Sequence, residues 1–173
     1  MVEKQVITQL AKGLPIIDME IVGVLNLCDL AVSDTILSPV IFRRCRLEAI
    51  EAKFCQFNLP IFLEEVEVRL DSSFYACYFV AGLRITNCHF YGSLDFQSGG
   101  HNKNGHEFRL ERSQFDGFVN FFDCWFEGPV VINQCNFLFG TNLLGNKDQP
   151  FEVTFDQEPL IENTIGDLNL SGG

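Results

Sequence analysis

Seven cysteines are the residues of this 173-residue chain best suited to chemistry, because thiolates bind metals and form disulfides. Their number is odd, and no two of them have the Cys-x-x-Cys spacing of zinc ribbons and redox motifs. Free cysteine is commonly a small core residue, so we predict a packing role, without metal or other cofactor. Cys55 and Cys77 are 22 residues apart and are predicted to stack, but a disulfide is not expected in a reducing cytosol.

The histidines and acidic residues do not assemble a catalytic motif. His101 and His106 lie in one polar segment and His89 in an outward position, and no third ligand for a metal is identifiable. The chain has no nucleophile-elbow serine, no phosphate-binding glycine loop and no metalloprotease histidine pair. We therefore predict no catalytic residues, no metal site and no enzymatic activity.

The cysteines belong to a repeat. Each is followed two residues later by Leu or Phe, within an eleven-residue unit of the form apolar-x-apolar-x-x-Cys-x-Phe-x-x-x. The irregular step carries the polar segment 98–106, which is typical of a surface loop, and a weaker copy begins at Gly23. The clear copies begin at Val40, Ile50, Ile61, Ser72, Leu83, Leu94, Phe108, Val119 and Val130.

The spacing of the unit predicts short extended segments separated by corners. Apolar residues two apart point to the same side of a strand, and the small and large side chains together fill a narrow interior. Two units make a coil of 22 residues with four short sides, which buries its apolar residues by stacking on the next coil. An 11-residue period also occurs in helical supercoils, but Phe, Val, Ile, Cys and Asn favour strands.

The pattern resembles the pentapeptide-repeat family, in which a central Leu or Phe recurs every five residues with a small residue two before it. Residues 28–30 (Cys-Asp-Leu) and 135–137 (Cys-Asn-Phe) match that triplet. Elsewhere the steps alternate between five and six. The strict five-residue step is kept by Phe42, Leu47, Ala52, Phe57 and Phe62. The resemblance covers about residues 21–140 and implies a right-handed quadrilateral parallel β-helix.

The predicted fold is therefore all-β, a right-handed parallel β-helix with a short N-terminal helical cap. We place the cap at 1–20, with a helix over 3–12, and the solenoid at 21–146. An acidic C-terminal segment, 147–173, follows. In it the alternation of Phe151, Val153 and Phe155 predicts one strand, and the end is expected to be partly mobile.

The outward positions of alternate units predict two surfaces. One carries mixed charged and polar residues, typical of a solvated surface. The other carries four aromatic residues that we call the aromatic face: Tyr75, Tyr78, Phe122 and Trp125. Exposed aromatic clusters mark interfaces, so we expect this face to bind a protein partner or a second copy of the chain. The alternative is that the 98–106 loop or the C-terminal segment packs over it.

The net charge of −11 is unevenly distributed. Residues 40–112 carry 9 acidic and 9 basic residues, whereas residues 113–173 carry 9 acidic and 1 basic residue. An acidic chain without a signal peptide or a long apolar segment predicts a cytoplasmic protein that binds neither nucleic acid nor membrane directly.

The sequence leaves three functions open. The first is a non-enzymatic interaction module using the aromatic face. The second comes from the family resemblance, which implies a DNA mimic that binds a type II topoisomerase, inhibiting gyrase or protecting against quinolones; the neutral coils at 40–112 count against it. The third is an enzyme or a carbohydrate binder using the aromatic face.

Overall fold

The computed structural model describes residues 2–172, which form a parallel β-solenoid of about six turns. Strands contain 38% of the residues and helices 7%. The predicted fold class is confirmed: the chain is mostly β, its strands are parallel, and one short helix lies at the N-terminus.

The elements of residues 2–172 are short. The first part of the chain contains α1 (Glu3–Leu10), β1 (Ile16–Ile17), β2 (Glu20–Asn26), a 3₁₀ helix (Leu27–Leu30), β3 (Thr35–Ile36), β4 (Val40–Arg43), β5 (Arg46–Glu51), β6 (Gln56–Phe57), β7 (Ile61–Glu64), β8 (Glu67–Val68) and β9 (Ser72–Ser73). The remainder contains β10 (Leu83–Thr86), β11 (His89–Phe90), β12 (Leu94–Asp95), β13 (Phe108–Glu111), β14 (Gln114–Phe115), β15 (Val119–Asn120), β16 (Trp125–Phe126), β17 (Val130–Asn133), β18 (Asn136–Phe137), β19 (Thr154–Phe155) and β20 (Leu160–Glu162).

Stacking of the coils creates four faces. The first face is a seven-stranded sheet in the order β1-β4-β7-β10-β13-β17-β20. A nine-stranded sheet forms the second face (β8, β11, β14, β18) and the third face (β9, β12, β15). The two faces are joined because β5 pairs with strands of both, and β2 pairs with β5 as the ninth strand. The fourth face holds β3, β6, β16 and β19, with single bridges at Tyr78 and Gly100 between them.

The strand register follows the predicted repeat. Leu83 pairs with Ile61 on one side and with Phe108 on the other, so the first positions of alternate units lie above one another. The step to Phe108 is longer because the inserted loop leaves the coil before it. Each predicted 22-residue coil therefore contains two units, one starting on the first face and the next on the third.

The corner before each cysteine position has a left-handed backbone. The residue at the fifth position of every clear unit has φ between 46° and 60°. These residues are Arg44, Phe54, Glu65, Ala76, Asn87, Ser98, Arg112, Asp123 and Gln134. This conformation is unfavourable for a residue with a side chain, so strand pairing on both sides of the corner must hold it.

The cysteine position is small because its side chain caps the corner. The Cys45 thiol lies 3.2 Å from the carbonyl oxygen of Arg43, two residues earlier. Where serine replaces cysteine, the Ser113 hydroxyl donates to the equivalent carbonyl of Glu111 at 2.8 Å. A short side chain with a weak or strong donor therefore adds a second hydrogen bond to a carbonyl that already accepts from the backbone of a neighbouring coil, as Arg43 does from Asp18 and Glu111 from Asn87.

The interior is a set of stacked phenylalanine rings. Phe96 stacks on Phe74 at a centroid distance of 5.6 Å and on Phe121 at 5.2 Å, and all three are fully buried. A second column contains Phe115 and Phe137, with centroids 5.0 Å apart. The abundance of phenylalanine thus reflects the filling of a narrow interior, where offset aromatic pairs add to the burial of apolar area.

The N-terminal end of the stack is covered by α1. Its residues Val6 and Leu10 are fully buried against the first coil, as the predicted helical cap requires. The helix ends at Leu10 rather than at the predicted Lys12, and Gly13 follows with φ of 71°. Strand pairing already begins at β1, within the segment predicted as the cap.

The C-terminal segment continues the solenoid. β19 pairs with β16 and β20 pairs with β17, so strands also form beyond residue 146. The strand predicted over residues 151–155 contains only Thr154–Phe155. The last residues are held by side-chain hydrogen bonds: the amide groups of Asn142 and Asn146 donate to the Gly172 carbonyl oxygen.

The weak repeat copy at Gly23 has a different structure. β2 runs through its first part, and Leu27–Leu30 form a 3₁₀ helix beside the first coil instead of a corner of it. Cys28 is consequently only partly buried, whereas the other six cysteines are buried. The core position predicted for all seven cysteines is therefore found for six of them.

Candidate interaction surface

The four predicted residues lie together on the corner between the third and fourth faces. Tyr75 and Tyr78 flank the corner of one coil, and Phe122 and Trp125 flank the corner two coils further on. Tyr78 is 41% and Trp125 is 43% exposed, while Tyr75 and Phe122 are half-buried. The repeat places them there because the fourth and seventh positions of a unit point outward.

A histidine from the inserted loop joins the two exposed rings. Gly100 bridges both Tyr78 and Trp125 in the backbone ladder, so the coil between them has no side chain at the seventh position. The ring of His101 occupies that gap, 4.0 Å from the Tyr78 ring and 5.3 Å from the Trp125 ring, measured between centroids. The repeat did not predict this position for His101; the signal available in the sequence was Gly100, which leaves the seventh position of its unit without a side chain.

Two further phenylalanines extend the aromatic face along the stack. Phe54 meets Tyr75 edge-on at 5.3 Å, and Phe151 lies 5.2 Å from Phe122. Phe54 is 65% exposed because its left-handed backbone points the ring outward. We call the resulting set of seven rings the aromatic patch: Phe54, Tyr75, Tyr78, His101, Phe122, Trp125 and Phe151.

The loop and the C-terminal segment therefore add to the aromatic face without closing it. His101 comes from the loop and Phe151 from the C-terminal segment, yet Tyr78 and Trp125 keep about two-fifths of their surface in solvent. The two segments thus contact the face, while its rings stay accessible, and the binding of a partner stays a prediction.

The loop that carries His101 is tightly anchored. Asn102 is fully buried, and its amide group donates to the carbonyl oxygens of His106 and Pro129 at 2.7 and 3.0 Å. Lys103 binds both carboxylate oxygens of Glu127 at 2.5 and 2.7 Å. The hydrogen bond from Lys103 holds the pKa of the Glu127 carboxyl below its usual range.

Carboxylates border the patch at its C-terminal end. The indole Nε1 of Trp125 donates to Asp156 Oδ1 at 2.9 Å, and Asp156 is exposed. Asp123 and Glu152, neighbours of Phe122 and Phe151 in the chain, are also exposed. The exposed charges at this edge of the patch are therefore negative, and they lie in the third of the chain whose net charge is −8.

The opposite corner, between the first and second faces, is a polar groove of about 1070 Å³. Its guanidinium groups are paired: Arg44 bonds Asp18 at 2.7 Å and Arg46 bonds Glu67 at 3.1 Å. Across neighbouring coils of the first face, a further ion pair joins Arg43 to Glu64. Acidic and basic side chains are thus paired along residues 40–112, a range that the structure describes throughout. The coils in this range do not present a continuous negative face.

The cysteines and histidines are the other residues whose side chains could do chemistry. Within residues 2–172, no three His, Cys, Asp or Glu side chains form a group that would hold a metal ion. Burial raises the pKa of the Cys77 and Cys88 thiols to about 12, which suppresses the reactive thiolate. His89 bonds Asp116 at 2.8 Å and stacks on Tyr91 at a centroid distance of 3.8 Å.

Comparison with protein-family models, with curated proteins and with solved structures finds no match to this chain. Across residues 2–172, no helix combines the length and the apolar character needed to cross a bilayer.

Proposed function

We propose that this chain is a non-enzymatic interaction module that binds a protein partner with a basic surface through the aromatic patch. The observation that carries the proposal is the row formed by Tyr78, His101 and Trp125, whose rings are in contact while the two outer ones are about two-fifths exposed. Tyrosine and tryptophan are the residues most enriched where binding energy concentrates.

The charge around the patch favours a basic partner. Exposed carboxylates at Asp123, Glu152 and Asp156 surround one end of the rings. An arginine placed over Tyr78 or Trp125 would interact with the ring face and with a neighbouring carboxylate together. The same charge opposes association with a second acidic copy of the chain, since like-charged surfaces repel.

The scaffold supports binding because it holds the rings in place. The corner backbone is paired on both sides: the Tyr78 amide donates to the Cys55 carbonyl, and the Trp125 amide donates to the Gly99 carbonyl. A surface that is already ordered loses little conformational entropy on binding. Rigid presentation of rings is a use of a solenoid that requires no catalytic group.

The scaffold itself is proposed to be of the pentapeptide-repeat kind. Four-sided coils, a small residue at each corner and a large residue two positions later support this assignment. The alternating five- and six-residue steps set it apart from a strictly regular member of that family.

A peptide alternating arginine with valine tests the proposed chemistry. We expect it to bind the wild-type protein in a calorimetric titration, and the same peptide with glutamate for arginine to show no binding. Trp125→Ala should weaken binding about tenfold or more, because central aromatic contacts dominate interface energetics. Raising the salt concentration should also weaken binding, since part of it is electrostatic.

Tyr91→Ala is the matched control, because Tyr91 is a 46% exposed aromatic residue outside the aromatic patch. Its affinity should equal that of the wild type. Equal weakening by Tyr91→Ala and Trp125→Ala would overturn the proposal, as would equal binding of the two peptides. A dimer in light scattering that dissociates on Trp125→Ala would replace the basic partner with a second copy.

A further inference from the structure

Two thiols at the N-terminal end of the solenoid are in direct contact. The Sγ atoms of Cys28 and Cys55 are 3.0 Å apart, although the two residues are far apart in the sequence. A disulfide bond needs the sulfur atoms to approach by about 1 Å more. Both cysteines carry free thiols in the structure.

The two thiols differ in access. Cys28 lies on the 3₁₀ helix at the surface and is partly exposed, whereas Cys55 occupies a corner of the solenoid and is buried. The backbone amide of Lys53 donates to the Cys28 sulfur at 3.2 Å, which holds that sulfur beside Cys55. Burial, followed by contact with Cys28, raises the pKa of the Cys55 thiol. Cys28 is therefore the attacking thiol of the pair and Cys55 the resolving one.

We propose that Cys28 and Cys55 are a redox modification site, which forms a reversible disulfide that ties the 3₁₀ helix to the first coils of the solenoid. The oxidant is a small-molecule disulfide. The Cys28 thiolate attacks one of its sulfur atoms and releases one small thiolate, leaving a mixed disulfide on Cys28. The Cys55 thiol then loses its proton to solvent and attacks the Cys28 sulfur, which releases the second small thiol. Two protein thiols are oxidised, and one small disulfide is reduced to two thiols.

The site is specific to this pair. Cys77 lies on the coil next to that of Cys55, but its thiol bonds the carbonyl oxygen of Tyr75 in its own coil at 3.6 Å. Cys55 and Cys77 occupy equivalent positions of adjacent coils, as expected from the sequence, whereas the thiol–thiol contact at 3.0 Å joins Cys55 to Cys28. The repeat did not indicate it, because the 3₁₀ helix lies outside the regular coils.

Treatment of the folded wild-type protein with glutathione disulfide tests the site. We expect the seven free thiols to become five, with the chain remaining a monomer. Trypsin cleaves after basic residues and so separates the candidates into peptides 13–43 (with Cys28), 54–69 (with Cys55) and 70–84 (with Cys77). The first two should be joined. The Tm should rise by roughly 5–10 °C, because the bond restricts the unfolded chain.

Cys28→Ser and Cys55→Ser should each abolish the crosslink and the rise in Tm, while Cys45→Ser should leave both unchanged. Serine is accepted at the corner position of Cys45 and Cys55, as Ser113 shows, and Cys28 is only partly buried, so these variants should fold. A crosslink between peptides 54–69 and 70–84, a covalent dimer through Cys28, or retention of seven thiols would each overturn the proposal.

Discussion

The replacement Phe96→Ala removes the most central ring of the interior. Phe96 is fully buried and has four aromatic neighbours, with ring centroids 5.2–5.9 Å away. These neighbours are Phe74, Phe79, Phe108 and Phe121. The ring therefore lies inside a close-packed column where its removal leaves a cavity.

The size of the effect follows from how little the cavity can collapse. The Phe96 amide donates to the Asn120 carbonyl at 2.8 Å, and the Phe74 amide donates to the Asp95 carbonyl at 2.7 Å, so ladders hold the backbone on both sides. Phe→Ala in a rigid core costs 3–5 kcal/mol, and we expect about 4–5 kcal/mol here. For a chain of this length that is a drop in Tm of roughly 10–20 °C.

Urea unfolding followed by circular dichroism measures this loss. Phe122→Ala is the control, since Phe122 lies one position later in its own unit than Phe96 does, points outward, and contacts Phe151. We expect that variant to lose only about 1 kcal/mol. Equal losses in the two variants, or a loss below about 1.5 kcal/mol for Phe96→Ala, would refute a close-packed solenoid interior.

Three further results are expected. Asp156→Ala removes the acceptor of the Trp125 indole and should lower the free energy of unfolding by about 1 kcal/mol in urea titrations; an unchanged midpoint would contradict this. Asn102→Ala removes the two side-chain hydrogen bonds that anchor the loop, to the carbonyl oxygens of His106 and Pro129, and should cost about 2 kcal/mol in the same assay; no effect would contradict the anchoring. The pKa of Glu127 in the folded protein lies below its unfolded value of about 4.3. The Glu127 carboxylate therefore contributes fully to the free energy of unfolding above about pH 4.3, and this contribution is lost as the pH falls through the folded-state pKa. The Tm values of the wild type and of Glu127→Gln should therefore differ at pH 7 and converge towards pH 3. A difference in Tm that stays constant over this pH range would refute the role of the carboxylate.

The regular part of the fold was accessible to sequence reasoning because each unit repeats the same contacts. The spacing of Leu83, Leu94 and Phe108 placed alternate units on two faces, and the strand register agrees with it. Small residues at the corners and large ones inside are dictated by the width of the interior. A single unit would have carried little information, whereas its recurrence defined the coil.

The left-handed backbone at the corners could not be predicted from the sequence in the same way. Left-handed φ values are favoured by Gly, Asn and Asp, yet the solenoid imposes them on Arg44, Phe54 and Glu65. The conformation is set by pairing with the coils on either side rather than by the residue itself. The outward direction of Phe54, and with it one end of the aromatic patch, therefore escaped prediction.

The irregular parts of the chain account for the other differences. His101 reaches the patch because Gly100, which precedes it, leaves a gap between Tyr78 and Trp125. Cys28 reaches Cys55 because its segment folds as a 3₁₀ helix beside the coil. Neither contact follows from the repeat, since each is made by a segment that leaves it.

The emission of Trp125, the only tryptophan of the chain, tests the proposed interface most directly. Its indole is 43% exposed in the free protein, so a partner bound on the patch must remove it from water. On saturation with the arginine–valine peptide, we expect the emission maximum to move to shorter wavelength and quenching by acrylamide to fall. Saturable binding with unchanged emission and quenching would place the partner elsewhere and contradict the proposed function.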